Sequence, residues 1–243
     1  MTEPLIERDI QKRFEPFMEE ISSHAGDNLH SVLITGSALT QDYDPKHSDI
    51  NSLLVLLQMD LHLLEWLAPL GKKYGKKGIA APLIMTPEFV KKSLDVFPLE
   101  FLNIKLLHHC VKGEDIFNDI VIQIPDLRRH CERELKTRLI GLRQHFLKAA
   151  GDAGILTEEF ITSFSGYMPL FRGIIFLKGG EPPVLYHDVL GALEKATGVN
   201  VDVFSRVLKQ KKERGRLSIS QLTDIFEGYY AAIRKLGDIV DDL

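Results

Sequence analysis

The sequence predicts an α+β protein made of a mixed sheet with flanking helices, followed by an all-α helical bundle. In the first 124 residues, short apolar runs of strand length alternate with stretches whose apolar residues have helical spacing. Beyond residue 125 only helical spacing is found. The change falls at Ile124-Pro125, so we expect one α/β domain over 1–124 and one helical domain over 125–243.

Each element of the first domain follows from a local pattern. Helical spacing covers 4–24 and 61–70, and the second of these helices is expected to end near Pro69. Strands are predicted for the runs SVLITG, INSLLVLL and GIAAPLIMT, and Pro82 in the third run indicates an edge strand or an irregular start. Thr86 followed by Pro87 is typical of a helix start. The run PLEFLNIKLLHHCVKG predicts a fourth extended element.

The second domain is expected to be a bundle because several amphipathic helical patterns follow one another at short spacing. Asp126 is the expected cap of the first long helix, and Thr157 the expected start of the next. Pro169 should kink that second helix. Three more helical patterns follow, in the runs LYHDVLGALEKATG, VDVFSRVLKQKKERG and SISQLTDIFEGYYAAIRKLGDIVDDL.

Composition places the chain among ordinary globular proteins, with 44% hydrophobic and 26% charged residues and a net charge of −4. Cys110 and Cys131 are the only cysteines, which favours a reducing compartment over a disulfide framework. The N-terminus has no apolar signal segment, and no apolar run reaches the length of a membrane span. We therefore expect a cytoplasmic protein without a membrane partner.

The stretch ITGSALTQDYDPKHSDINSLLVLL carries the chemistry of this sequence. Gly36, directly after a buried strand, would let the backbone approach a ligand, and Ser37 offers a hydroxyl at the start of a helical turn. Asp49 and Asn51 are two apart on a strand and share a face, while Ile50 points into the core. If the two strands are neighbours, these groups converge in a layout suited to a nucleotide phosphate and a divalent ion.

This pattern resembles the signature of the nucleotidyltransferase superfamily, which has the polymerase-beta-like fold. The resemblance lies in TGS, a spacer of eleven residues and DIN, and it covers about residues 1–120. The run SLDVFPLEFLNIK is also similar to uncharacterised bacterial nucleotidyltransferase-domain proteins. The resemblance implies a nucleotidyltransferase-like mixed sheet in which a hydroxyl attacks the α-phosphorus of a nucleoside triphosphate such as ATP, with Mg²⁺ or Mn²⁺ neutralising charge.

The resemblance also implies roles for individual residues. Gly36 and Ser37 would hold the phosphates, and Asp49 would be the first metal-binding and catalytic carboxylate. Asn51 occupies the position of the second metal-binding carboxylate. For the third, which would bind metal and help to deprotonate the nucleophile, Glu100 in PLEFL is the first choice.

Two points in these roles stay open. Asp95 in SLDVF is the alternative to Glu100 as third carboxylate. Asn51 departs from the pattern, because an amide oxygen can bind a cation but brings no charge. The expected function is therefore the binding of a nucleoside triphosphate or related phosphate ligand with a divalent metal, with nucleotidyl transfer weak or lost, as in a pseudoenzyme.

Two other functions are compatible with the sequence. The apolar helical half could mediate assembly in a non-catalytic protein of toxin–antitoxin or regulatory type, including self-association into a homo-oligomer. The basic helix 128–148 could instead bind RNA through its clustered arginines and lysines.

Overall fold

The computed structural model describes residues 8–213, 215 and 217–243, which form two compact units, Met1–Ile122 and Gln123–Leu243. The sheet lies in the first unit, and the second unit is helical wherever it has regular structure. The predicted α+β class is therefore confirmed. The division between the units falls two residues before the predicted domain boundary.

The first unit combines a mixed sheet with helices. Its described helices are α1 (Arg8–Ala25), α2 (Leu61–Gly75), α3 (Pro87–Lys92) and α4 (Pro98–Leu106). Its strands are β1 (Leu29–Thr35), β2 (Asn51–Leu56), β3 (Leu83–Met85) and β4 (His108–Gly113), in the sheet order β3-β2-β1-β4. β1 runs antiparallel to both β2 and β4, and β2 runs parallel to β3. Residues 4–7 of the predicted first helix lie outside the described residues.

The core of the first unit forms where α1 and α2 cover the sheet. α1 contributes a buried stripe at helical spacing, which consists of Ile10, Phe14, Phe17 and Ile21. The strands contribute the apolar face beneath it, which includes Val32, Ile34 and Leu54. Phe17 packs edge-to-face on Tyr74 of α2 at 4.9 Å. Trp66 of α2 stacks on His24 of α1, with the ring centroids 3.9 Å apart and the ring planes 2° from parallel.

The second unit consists of α5 (Ile124–Ala149), α6 (Ala153–Phe164), α7 (Tyr167–Leu177), α8 (Tyr186–Thr197), α9 (Asp202–Glu213) and α10 (Ile219–Asp241). An aromatic cluster from three of these helices fills its centre, and its members are Tyr167, Phe171, Phe204 and Tyr229. Rings of this size dominate the burial energy of a small bundle. The cluster therefore joins α7, α9 and α10 into one core.

The predicted extended element over 98–113 is wrong in its first part. Residues 98–106 form α4, and only His108–Gly113 is a strand. Pro98 stands at the first helical position, where its missing N–H costs nothing, and Leu99 and Leu102 lie three apart on one buried face. Helical spacing and alternation both fit so short an apolar run, which is why the sequence pattern misleads here.

Proline does not end α2. The helix runs to Gly75 with Pro69 in its interior, although such a proline costs about 3 kcal/mol. Leu70 and Tyr74, beyond the proline, are both buried, and burying each contributes about 1.5–3 kcal/mol. The burial of this last turn offsets the proline.

Two helix starts in the second unit also differ from prediction. α5 begins at Ile124 with Gln123 as its N-cap, so Asp126 lies in the first turn, where its charge favours the helix dipole. α6 begins at Ala153 and not at Thr157, because the Asp152 side chain accepts hydrogen bonds from the N–H groups of Gly154 and Ile155.

Pro169 does not kink a continuous helix. The chain breaks between α6 and α7, which meet at 46°, and Pro169 lies in the first turn of α7, where proline is tolerated. Among the described residues, no single helix is long and apolar enough to span a membrane. Within that part of the chain, only the bent pair of α6 and α7, taken together, has the length and the apolar composition of a span.

The hydroxyl of Tyr229 is a weak point of the aromatic cluster. It is fully buried and has no hydrogen-bond partner among the described residues. Burial raises the pKa of Tyr229 well above 10.0. The folded state therefore keeps this proton at pH values where the unfolded chain loses it, so stability falls as the pH rises above about 10.

Tyr229→Phe is expected to raise the free energy of unfolding by about 1–3 kcal/mol, because it removes an unsatisfied buried hydroxyl without changing the packing. The variant should also lose less stability above pH 10, although the raised pKa values of Tyr74 and Tyr167 leave part of the dependence in place. Chemical denaturation at pH 7 and pH 10.5 measures both effects. Tyr230→Phe is the control, because the Tyr230 hydroxyl accepts a hydrogen bond from Arg143 at 2.6 Å and its loss should destabilise.

Candidate functional site

The candidate site lies at the edge of the sheet where β1 ends and β2 begins. The two strands are antiparallel neighbours, and their register pairs Thr35 with Asn51. Gly36 follows β1 directly, and the connecting loop returns to the same edge at Asp49. The structure therefore brings together the two halves of the motif that the sequence separates by eleven residues.

Gly36 adopts a conformation that favours glycine, with φ at 76°. A Cβ placed on it would lie 3.8 Å from the Asn51 amide nitrogen, so the backbone here passes directly beside the Asn51 side chain. The Gly36 N–H donates to the Leu107 carbonyl at 3.0 Å. Gly36 thus shapes the edge of the site but does not offer its own N–H to a ligand in this conformation.

Ser37 opens the short 3₁₀ turn Gly36–Leu39 and is half-buried. Its carbonyl accepts hydrogen bonds from the Thr40 N–H at 2.9 Å and from the Thr40 hydroxyl at 3.1 Å. Ala38 and Leu39, which follow, are buried in the core and fix the turn to the sheet. The turn is therefore anchored by its apolar residues, while Ser37 remains accessible to solvent.

Asp49 and Asn51 are both exposed, and Ile50 between them is completely buried. Ile50 is held by two backbone hydrogen bonds to the segment around Ile79: its N–H donates to the Gly78 carbonyl at 2.8 Å, and its carbonyl accepts from the Ala80 N–H at 3.1 Å. This alternation gives Asp49 and Asn51 a common, solvent-facing side. Neither side chain is buried in apolar surroundings.

Arg13 of α1 is a neighbour of this site that the sequence pattern did not reveal. Its guanidinium donates to the Tyr43 hydroxyl at 3.2 Å and to the Lys77 carbonyl at 2.6 Å. These partners are 30 and 64 residues away along the chain, so no local motif could have indicated them. Tyr43 belongs to the loop that leads to Asp49, which places the positive charge of Arg13 beside the candidate site.

The candidates for a third carboxylate are placed differently from expectation. Glu100 lies in the first turn of α4, and Asp95 lies in the turn that precedes it. The strand position predicted for Glu100 is therefore wrong, for the reason given above for residues 98–106. The roles of Glu100 and Asp95 at the site stay predictions.

In the pairing of β1 with β4, Thr35 lies opposite His108, the first residue of β4. The His108 ring is buried, lies 2.7 Å from an Asp115 carboxylate oxygen and contacts the Ile104 carbonyl at 2.8 Å. The histidine therefore closes the end of α4 and ties it to the segment that follows β4.

The site offers two oxygen-bearing side chains to a cation, those of Asp49 and Asn51. Asp49 supplies one carboxylate and Asn51 one amide oxygen, and Mg²⁺ commonly binds through one or two protein oxygens with ligand phosphates and water completing its shell. Across the described ranges, no group of three or more His, Cys, Asp or Glu side chains could hold a metal ion. The arrangement is compatible with a single phosphate-bound cation.

The mixed sheet, the helices on it and the helical second unit are consistent with a nucleotidyltransferase fold. This chain is similar to the crystal structure of spectinomycin adenyltransferase AAD(9) from Enterococcus faecialis with ATP and spectinomycin. The TM-score is 0.55 at 13% sequence identity, over 95% of this chain and 98% of that chain. No family model and no curated protein matches the sequence. The likeness therefore shows the fold, including its helical second half, and not an activity.

Proposed function

We propose that this protein binds a nucleoside triphosphate together with one divalent cation, Mg²⁺ or Mn²⁺, at Gly36, Ser37, Asp49 and Asn51. The observation that carries the proposal is the pairing of β1 with β2, which sets Gly36 against the Asn51 amide and turns Asp49 to the same side. The structural neighbour was crystallised with ATP, which supports a nucleotide as the ligand class.

Each residue has a distinct part in this proposal. The Asp49 carboxylate binds the cation, and the Asn51 side-chain oxygen completes the protein's share of its shell without adding charge. The Ser37 hydroxyl donates a hydrogen bond to a phosphate oxygen, and Gly36 keeps the backbone close enough for that contact. The cation, when bound, neutralises charge on the phosphates. With Asp49 as the single carboxylate of the Asp49/Asn51 pair, nucleotidyl transfer is weak or absent.

The alternative of RNA binding by α5 gains no support from the structure. Arg143 of this helix donates a hydrogen bond to the Tyr230 hydroxyl. Four other basic residues of α5 form ion pairs within the second unit: Arg128, Arg129, Lys136 and Arg138. Charges already compensated by neighbouring carboxylates attract phosphates less strongly. We therefore retain the nucleotide proposal alone.

Asp49→Ala is expected to weaken ATP binding in the presence of Mg²⁺ about 10- to 100-fold, the effect of losing a charged contact. Isothermal titration calorimetry with ATP and Mg²⁺ measures this directly. Glu15→Ala is the matched control, because it removes an exposed acid from α1 and should leave binding unchanged. If the unmodified protein shows no binding at millimolar ATP, or if Asp49→Ala binds equally well, the proposed site is wrong.

A further inference from the structure

The guanidinium of Arg13 and the carboxylate of Asp49 lie on either side of Gly78. A Cβ built on Gly78 would be 2.6 Å from Arg13 Nη2 and 3.9 Å from Asp49 Oδ1. Gly78 has φ at 69°, so glycine is favoured at this point on backbone grounds as well. The absence of a side chain at Gly78 lets the Arg13 guanidinium lie directly against this backbone, with the Asp49 carboxylate beside it.

Arg13 and Asp49 do not neutralise each other by direct contact. Among the described residues neither side chain takes part in an ion pair, and the Asp49 carboxylate has no hydrogen-bond donor. The hydrogen bonds of Arg13 go instead to the Tyr43 hydroxyl and the Lys77 carbonyl, which are both uncharged acceptors. A half-buried positive charge and an exposed negative charge therefore stand close together without being paired.

The two contacts of Arg13 hold its guanidinium in place. A guanidinium carries five N–H donors in a planar fork, and two of them are engaged by Tyr43 and Lys77. The remaining edge of the fork has the geometry that binds two oxygens of one phosphate. Because these contacts already fix the side chain, little further conformational entropy is lost when a phosphate binds.

If the ligand is a triphosphate, the charges at the site favour an additional cationic side chain. Asp49 binds a cation, but Asn51 is neutral, and one divalent ion does not compensate all the negative charge that a triphosphate brings. Among the described residues, Arg13 is a cationic side chain that lies beside Asp49, next to Gly78.

We propose that Arg13 is a phosphate-binding residue, contacting the triphosphate from its place against Gly78, next to Asp49, and supplying the positive charge that completes the site. This inference rests on the proposed function and names the part of the ligand that α1 recognises. It predicts that the phosphates, and not the nucleoside, depend on Arg13.

Arg13→Gln is expected to weaken binding of ATP and of inorganic tripolyphosphate about 10- to 100-fold, the loss of one charge-assisted contact. Arg13→Lys should recover part of the affinity, because it keeps the charge but not the fork. Titrations with ATP and with tripolyphosphate, each with Mg²⁺, measure both variants. Binding by Arg13→Gln within twofold of the unmodified protein overturns the inference.

Two controls separate the charge of Arg13 from its structural contacts. Lys12→Gln removes a neighbouring exposed cation from α1 and should leave both affinities unchanged. Tyr43→Phe removes a hydrogen bond that holds Arg13 but keeps the charge, so its affinity should fall only a fewfold. If Tyr43→Phe weakens binding as much as Arg13→Gln does, the residue acts by bracing the loop and the inference fails.

The outcome also distinguishes this inference from the proposed function. Binding by the unmodified protein that Asp49→Ala weakens and Arg13→Gln does not would preserve the site and remove Arg13 from it. No binding of ATP or tripolyphosphate by the unmodified protein would overturn both. If Arg13→Gln does not fold, as judged by its thermal unfolding, Arg13→Lys decides: affinity equal to that of the unmodified protein in both titrations contradicts phosphate recognition by the guanidinium.

Discussion

Asn51→Asp is expected to create a second strong cation ligand and to raise the affinity of the site for Mn²⁺ by about three orders of magnitude. A unit charge interacts with another at ~4 Å by about 4 kcal/mol at an effective dielectric constant of 20. About 1.4 kcal/mol corresponds to a factor of ten, and the effect on a divalent ion is larger still. Asp49, just before β2, and the new carboxylate at its first residue would both be exposed, with Ile50 buried between them.

Titration with Mn²⁺ followed by electron paramagnetic resonance, with a non-hydrolysable ATP analogue present, measures both the affinity and the number of ions bound. We expect one ion in the unmodified protein and a second in Asn51→Asp. Release of pyrophosphate from ATP by the variant would indicate that the missing charge limited the chemistry. Gln144→Glu is the matched control, since it makes the same amide-to-carboxylate change at an exposed position of α5. Equal Mn²⁺ binding by Asn51→Asp and the unmodified protein would contradict the assignment of residue 51 as a cation ligand.

Phe204→Ala is expected to lower the free energy of unfolding of the second unit by about 3–5 kcal/mol. The Phe204 ring is completely buried, and its centre lies 4.7 Å from that of Tyr229 and 4.8 Å from that of Phe171. Truncation removes the ring and leaves a cavity between α7, α9 and α10, which rigid neighbouring rings cannot refill. Because small domains have only about 5–15 kcal/mol of stability, this is a large fraction of the total.

Urea denaturation followed by circular dichroism at 222 nm measures this loss, since the second unit contributes most of its signal through helix. Leu147→Ala serves as control, because the Leu147 side chain is 77% exposed and its truncation should cost little. A loss below about 1 kcal/mol for Phe204→Ala would mean that the cluster repacks, contrary to the dense packing described here.

The existence of β1 and β2 could be predicted because it depends on short-range patterns. Four consecutive buried residues of β1 are followed by Thr35 and Gly36, and the buried run of β2 starts after an exposed Asn51. Apolar runs of this length, rich in branched residues and bounded by glycine or polar residues, favour strands. The alternation of Asp49, Ile50 and Asn51 likewise follows from the two-residue period of a strand, so these side chains could be assigned to faces from sequence.

The parts that could not be predicted depend on contacts between distant segments. Pro69 remains inside α2 because Tyr74, one turn later, packs on Phe17 of α1, and nothing near Pro69 in the sequence reveals that contact. Leu99 and Phe101 alternate as in a strand, yet they lie in a helix whose neighbours bury both. Arg13 lies on an ordinary amphipathic helix, and its relation to Asp49 arises only through Gly78.

The stacking of Trp66 on His24 gives the molecule an intrinsic optical reporter. The chain has a single tryptophan, and it lies in the first unit between α1 and α2. Its fluorescence therefore follows the melting of the sheet-containing half alone, without labels or truncation. Compared with the ellipticity of the same sample, it reveals whether the two halves of the chain melt in one cooperative step or independently.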